Sequence, residues 1–300
     1  MWVILALSSA VVLGVYDVFK KLSVNSNAVL PVLFLSSLTA AVLVIPVMIG
    51  SSLYPDLFSS INLFIPSASI EEHLQILVKA LIVVASWIFS FFALKHLPIT
   101  IVSPIRSTSP LWTLIGAIII FQERLNLMQW IGVIVTLVFF YLLSIAGKLE
   151  GIHFRKNKWV FFIVLATLLA SASGVYDKFI IGKIDRLAVQ AWFSIYQVLF
   201  LGPVLLLTRY SIKKEKRVAF EWRWTIPAIA VFLLFADFLY FYALSYEDAM
   251  ISIVSALRRG GVVVAFITGA MIFKERNIRK KGIYLLGILA GILLISFGSA

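Results

Sequence analysis

Long runs without a charged residue constrain this 300-residue chain more than any other feature. Four of them extend for about 20 residues or more, at 28–55, 125–147, 187–208 and 282–300, and a helix of about 20 apolar residues crosses a bilayer core. Hydrophobic residues make up 62% of the chain and charged residues 13%, against roughly 45–50% and about 25% in soluble domains. The sequence therefore predicts an integral membrane protein built from helices.

Three short segments of the first half return in the second half. The last two pairs share an offset of 152 residues, so they lie in register without a gap. A repeat of half the chain is too long for a solenoid and indicates a duplicated domain, with predicted domains 1–150 and 151–300. In an apolar chain, this is the usual architecture of a secondary transporter. The pairs are GVYDVF (14–19) with GVYDKF (174–179), IVSPIR (101–106) with IVSALR (253–258), and FQER (121–124) with FKER (273–276).

The apolar runs predict ten membrane-spanning helices, five in each half. Because five is odd, equivalent loops of the two halves must lie on opposite sides of the membrane. The predicted fold class is therefore an all-α integral membrane protein with two inverted five-helix repeats. The predicted spans are 2–21, 28–50, 74–95, 98–121, 127–147, 159–181, 187–208, 224–246, 248–273 and 282–299.

The loop charges agree with an inverted repeat. Connector 51–73 contains no Lys or Arg, whereas its counterpart 209–223 contains six. Odd-numbered connections hold 18 of the 26 Lys and Arg residues, the other side holds five, and three lie inside spans. The positive-inside rule then places both termini outside the plasma (inner) membrane. The net charge of +12 is explained by these loops, so we expect no nucleic-acid partner and only the lipid bilayer around the spans.

The ends of the two halves share a loose pattern. The first has Ser-Pro-Leu at 109–111, Gly116 and FQER; the second has Gly261, Gly269 and FKER, and an apolar helix follows each. Over nearly the whole chain this pattern resembles the EamA type of the drug/metabolite transporter superfamily. The resemblance implies transport of small metabolites, often amino acids for export, through a central cavity between the halves. Many ten-helix relatives have cytoplasmic termini, whereas the charge count here favours termini outside.

Three arginines lie inside predicted spans, where an ionisable group costs about 2.5–3.5 kcal/mol and needs a partner or a water-filled cavity. Arg106 and Arg258 are repeat equivalents, and Arg259 follows the second of them. Prolines flank the first site and glycines 260–261 follow the second, so we expect both helices to be kinked or unwound. Such interruptions at matching points of two repeats indicate a transporter's binding site. The planar guanidinium suits a carboxylate or phosphate; alternatively, the arginines bind backbone carbonyls or an aspartate and lock helices together.

Three aspartates are candidates for coupling or gating. Asp237 has no acidic counterpart, because the repeat places Trp87 near the equivalent position. It could couple transport to protons, pair with a substrate amine, or be a fixed counter-ion of an arginine. Asp17 and Asp177 are repeat equivalents nearer helix ends, where they form either an interfacial ion pair or part of the cavity mouth.

Four aromatic residues complete the predicted substrate site: Trp87 and Tyr240 in the pocket, and Tyr16 and Tyr176 beside the repeated aspartates. Aromatic side chains at helical spacing also occur as ordinary packing residues. We expect the substrate to bind near the membrane midplane among spans 1, 3, 4, 6, 8 and 9.

Other chemistry is poorly supported by the sequence. The chain has no cysteine, its three histidines are scattered, and no phosphate loop or nucleophile elbow appears. We therefore predict no enzymatic activity, cofactor or metal. The predicted function is secondary-active export of a small polar or anionic metabolite; the alternative is a flippase for a phosphate-bearing, lipid-linked substrate. Gly287 and Gly291 form a G-x-x-x-G pattern that packs within a monomer or joins two monomers, so the expected state is a monomer or homodimer.

Overall fold

The described residues of the computed structural model form helices and no strand. The described residues are 2–109, 111–112, 115, 126–148, 151–181, 183–211, 218–244, 257–258, 260–275 and 277–297. The helices are α1 (Trp2–Val24), α2 (Val29–Leu53), α3 (Pro55–Ser60), α4 (Ile70–His96), α5 (Ile99–Ser107), α6 (Leu127–Lys148), α7 (Lys158–Ile181), α8 (Arg186–Ser211), α9 (Thr225–Leu244), α10 (Gly261–Phe273) and α11 (Ile278–Phe297).

The helices have the length and surface of a membrane protein. Helices α1, α2, α4, α7 and α8 are long and apolar enough to cross a membrane, and α6, α9 and α10 are shorter apolar helices. Each predicted span overlaps one helix, and the total of ten spans stays a prediction. The outer face of α6 exposes Ile131, Ile134 and Leu137 to about half of their area, as expected of a surface in contact with lipid. The chain is a multi-pass, membrane-embedded protein.

The most extensive contacts between the helices are related by an exchange of the two halves. Three helices each meet their own repeat equivalent: α2 packs against α8, α5 against α10, and α6 against α11. Two further sets of contacts are matched, α1 with α9 and α4 with α7, then α1 with α10 and α5 with α7. Among the described residues, the contacts of α4 with α1 and α2 have no counterpart of similar extent. The halves are therefore interleaved, and the space at their centre is bounded by helices of both.

The odd-numbered connections come together at one end of the bundle. The side chain of Asn27 bonds with the backbone of Glu221 (2.7 and 2.9 Å), and the ring of His96 stacks on Trp159 with centroids 3.6 Å apart. Glu275, after α10, accepts hydrogen bonds from the start of α5. Successive helices that cross the membrane in alternate directions require this grouping. Which side of the membrane this end faces stays a prediction from the charges.

Helices α1 and α10 cross with their backbones in contact because glycine occupies both sides of the crossing. A Cβ atom on Gly261 would lie 2.5 Å from the carbonyl oxygen of Ala10, and one on Gly14 would lie 2.6 Å from the carbonyl oxygen of Gly261. No other residue fits there without moving a helix. This contact brings the start of α10 to the centre of the bundle.

The G-x-x-x-G pattern packs within the chain. A Cβ atom on Gly291 would lie 2.8 Å from the carbonyl oxygen of Gly132 on α6, and one on Gly287 would overlap the ring of Phe139. Of the two alternatives left open by the sequence, the structure shows contact between α6 and α11 of one molecule.

Candidate functional site

A cavity of about 240 Å³ lies at the centre of the bundle. All six spans that the sequence predicted around the site contribute to its lining. The lining residues are Leu13, Asp17, Ser86, Trp87, Ser90, Arg106, Ser109, Ala166, Thr167, Ala170, Tyr240, Arg258, Gly261 and Val262.

Both arginines lie two residues before a break in their helix. After Arg106 the helix is interrupted at Thr108, whose hydroxyl donates to the carbonyl of Ile105 (2.7 Å). After Arg258 a turn at Gly260 precedes α10. The predicted interruptions are therefore present at repeat-equivalent positions. Each break lets a charged side chain reach the cavity while local hydrogen bonds satisfy backbone groups.

Arg106 is paired with Asp17, whose carboxylate has a second cation beside it. Arg106 Nη1 lies 2.5 Å from Asp17 Oδ1, and Lys20 Nζ lies 3.3 Å from the same oxygen. Lys20 is one turn further along α1, so both side chains share a face. It is only 1% exposed and lies over the rings of Tyr16 and Phe91. Asp17 thus lines the cavity and is ion-paired with both cations there; its role in coupling or gating stays a prediction.

Arg258 is paired with Asp237 of α9 and lies over the ring of Tyr240, with its guanidinium carbon 4.2 Å from the centroid. In the part of the chain that the structure describes, Asp237 has no second cation. Among the described residues, the Nε atom of Arg258 is buried without a hydrogen-bond partner. A donor held at a cavity without a partner is available to a ligand.

The two sides of the cavity differ in charge although the scaffold is symmetric. Helices α1 and α9 pack together and carry Asp17 and Asp237; we call this side the acidic wall. Helices α4 and α7 form the matching pair and, among described side chains, line the cavity without charge; we call this side the neutral wall. The neutral wall consists of Ser86, Trp87, Ser90, Ala166, Thr167 and Ala170.

A second, smaller cavity of about 30 Å³ adjoins the acidic wall. Tyr16, Trp87 and Asp237 line it together with polar side chains of α2 and α8. The hydroxyl of Ser37, which also lines it, is buried without a partner among the described residues. The volume suits about one water molecule, which would hydrate Asp237 from the smaller cavity.

The model of the EamA-like transporter family matches residues 1–145 and again 157–297. The chain belongs to the EamA-like transporter family. It is thus a membrane transporter of the drug/metabolite type, a family of transporters and not of enzymes. A comparison with curated proteins found no match.

Not every residue predicted for the site reaches a cavity of this EamA-like transporter. Tyr176 donates its hydroxyl to the carbonyl of Gln75 (3.2 Å) and packs beside Ile180, at the end opposite to the odd-numbered connections. It lines neither of these two cavities, and its role in substrate binding stays a prediction. Arg259 and the side chain of Asp177 lie outside the described part of the chain.

Lys20 was missed by sequence reasoning because it was counted, with Lys21, as a charge of the first loop. Both lysines are buried, at 1% and 7% exposure. The spacing of three residues from Asp17 was the available signal, since that spacing pairs side chains on a helix. Ser90 was also missed; a serine in an apolar helix carries no signal of its own.

Proposed function

We propose that this EamA-like transporter is a secondary-active carrier that exports a small polar or anionic metabolite, such as an amino acid, by alternating access. The observation that carries the proposal is the meeting of Arg106 and Arg258, one from each half, in one central cavity. Two arginines at broken helices can hold a carboxylate or phosphate from two sides.

The charge and size of the site support a small anion. Among the described residues, the ion pairs around the two arginines contain three cations, Lys20, Arg106 and Arg258, and two carboxylates, Asp17 and Asp237. The surplus positive charge would be neutralised by one anionic group. The 240 Å³ cavity has space for roughly eight water molecules, which is below the size of typical drug-sized pockets.

A bound anion would compete with the aspartates for the arginines. If Arg106 turns to the substrate, Asp17 keeps Lys20 as a partner. If Arg258 turns away, Asp237 loses its cation, and an unpaired carboxylate inside a membrane protein is costly. We therefore assign proton coupling to Asp237: the carboxylate takes up a proton when the substrate takes Arg258. The proton and the substrate then cross together, so export is driven by the outward gradient of the substrate.

The substrate class is testable by ligand stabilisation of the purified protein. A ligand that binds the folded state raises the melting temperature, so amino acids, nucleotides, sugar phosphates and organic cations are compared. We expect stabilisation by an anionic or zwitterionic class, and its loss in Arg106→Ala. Arg155→Ala, which removes an exposed arginine of the connection between the halves, is the matched control.

The result also separates the rival function. Stabilisation by a polyprenyl phosphate alone would favour the lipid-linked flippase, in which the arginines hold the phosphate. Stabilisation by organic cations alone, unchanged in Arg106→Ala, would contradict an anion site at the arginines.

A further inference from the structure

The start of helix α5 is capped by a side chain from the other half of the chain. The Glu275 carboxylate accepts hydrogen bonds from the backbone N–H groups of Ile99 (2.8 Å) and Thr100 (3.0 Å), and from the hydroxyl of Thr100. The N-cap residue of α5 itself, Pro98, provides no side-chain cap. A carboxylate at a helix N-terminus satisfies free N–H groups and complements the helix dipole.

Two buried lysines reinforce this contact. Lys281 Nζ, from a residue that is 0% exposed, donates to the hydroxyl of Thr100 (2.9 Å). Lys21 Nζ donates to the carbonyls of Leu94 (2.5 Å) and Leu97 (2.7 Å) at the end of α4, where a cation complements the dipole. We call this group the Glu275 clamp; its members are Lys21, Thr100, Glu275 and Lys281.

The clamp closes one end of the route to the central cavity. Helices α5 and α10 run antiparallel, since the side chain of Ile99 packs on Gly269 near the end of α10. Their opposite ends bring Arg106 and Arg258 to the cavity. Between the clamp and Arg106, the residues of α5 are buried to 2% exposure or less at 101–103 and 105. Among the described residues, the cavity therefore has no path along α5 to the clamped end.

We propose that the Glu275 clamp is a transport gate, closed in this conformation, which breaks when the cavity opens towards the end that carries the odd-numbered connections. The inference rests on the alternating access of the proposed function. The clamp joins the α4–α5 turn of the first half to the α10–α11 turn of the second half. A movement of one half against the other must withdraw Glu275 from the α5 N-terminus.

Access to the cavity can be measured without a substrate because the chain contains no cysteine. Ser90→Cys places a single thiol in the cavity at a hydroxyl that has no partner in the described part of the chain. A membrane-impermeant thiol reagent is applied to each face of sealed vesicles. Glu221→Cys, on an exposed side chain near the clamp, identifies the face on which the clamp lies.

Adding Glu275→Gln to the Ser90→Cys protein should raise labelling of the cavity thiol from the clamp face about fivefold, the factor that corresponds to the loss of a typical cap. Labelling from the opposite face should fall, because more molecules are then open towards the clamp face and fewer are open towards the opposite face. Thr100→Val, in the other half, should act alike, and the double variant should exceed neither single variant. Glu221→Gln, a matched change near the clamp, should leave both rates unchanged.

Two outcomes overturn the gate. Unchanged labelling in Glu275→Gln would show that the clamp does not control access, and a rise from both faces would show that the substitution only loosens the fold. Neither outcome depends on the ligand screen. Failure of the proposed function appears instead as absence of stabilisation by every anion tested.

Discussion

The two arginine–aspartate pairs look alike, yet only their arginines are related by the repeat. Arg106 and Arg258 occupy equivalent positions at equivalent helix breaks. Their partners come from non-equivalent helices: Asp17 is on α1, whereas Asp237 is on α9, whose counterpart is α4. The duplication kept the arginines and the Asp17 carboxylate, which recurs as Asp177, whereas Asp237 has no acidic counterpart.

The packing of α1 against α9 places Asp17 at the central cavity and Asp237 at the adjoining smaller cavity. The matching pair, α4 and α7, forms the neutral wall. Among the described side chains, a substrate between these walls meets charge on one side and hydroxyl and indole groups on the other. An asymmetric site in a symmetric scaffold can favour one orientation of its ligand.

The largest expected effect comes from removing either arginine. Truncating one partner of a buried charge pair typically costs about 2–5 kcal/mol, so flux of the best ligand in proteoliposomes should fall at least about 30-fold in Arg106→Ala and in Arg258→Ala. The pairs should differ in stability without ligand. Arg258→Ala leaves Asp237 without its cation, whereas Asp17 keeps Lys20, so Arg258→Ala should lower the melting temperature more.

Arg155→Ala is again the control for both measurements. Unimpaired flux in both Arg106→Ala and Arg258→Ala would refute the proposed substrate site. Equal melting temperatures of these two variants would contradict the predicted difference in stability between the two ion pairs.

Proton uptake should distinguish the two aspartates. When a bound anion takes Arg258 from Asp237, the carboxylate gains a proton, so the pH of a weakly buffered solution should rise on ligand addition. Asp237→Asn should abolish this rise. Asp17→Asn should keep it, because Asp17 retains Lys20 as a partner when Arg106 turns to the ligand and therefore takes up no proton itself. The measurement is a pH-indicator titration of the purified protein. Proton uptake that persists in Asp237→Asn would place coupling elsewhere.

The smallest effect is expected on the neutral wall. Ser90→Ala removes a hydroxyl that has no partner in the described part of the chain, so stability should be unchanged. Loss of one neutral hydrogen bond to the ligand, about 0.5–1.5 kcal/mol, should weaken affinity roughly 2- to 12-fold. Ser86→Ala is the matched contrast, because the Ser86 hydroxyl donates to the carbonyl of Ala166 (2.7 Å). It should lower the melting temperature with little effect on affinity, and the reverse pattern would contradict this description of the wall.

The positions of the helices and of the two helix breaks were predictable from local patterns. Apolar runs located the helices, and proline or glycine beside Arg106 and Arg258 located the breaks, because helix length and helix interruption depend on neighbouring residues. Partners distant in the chain were not predictable. Nothing local relates Arg106 to Asp17, 89 residues away, or indicates that Lys20 is buried.

The sequence by itself determined a membrane protein in two related halves, with arginines at two matching breaks. These follow from composition, from helix length and from the repeat, and the family match agrees. Only the tertiary structure decided which carboxylate pairs with which arginine and that Tyr176 lies away from the cavity. It also decided that Glu275 of the second half caps a helix of the first. Each of these depends on which helices of the two halves interleave, and that choice is made by packing across the chain.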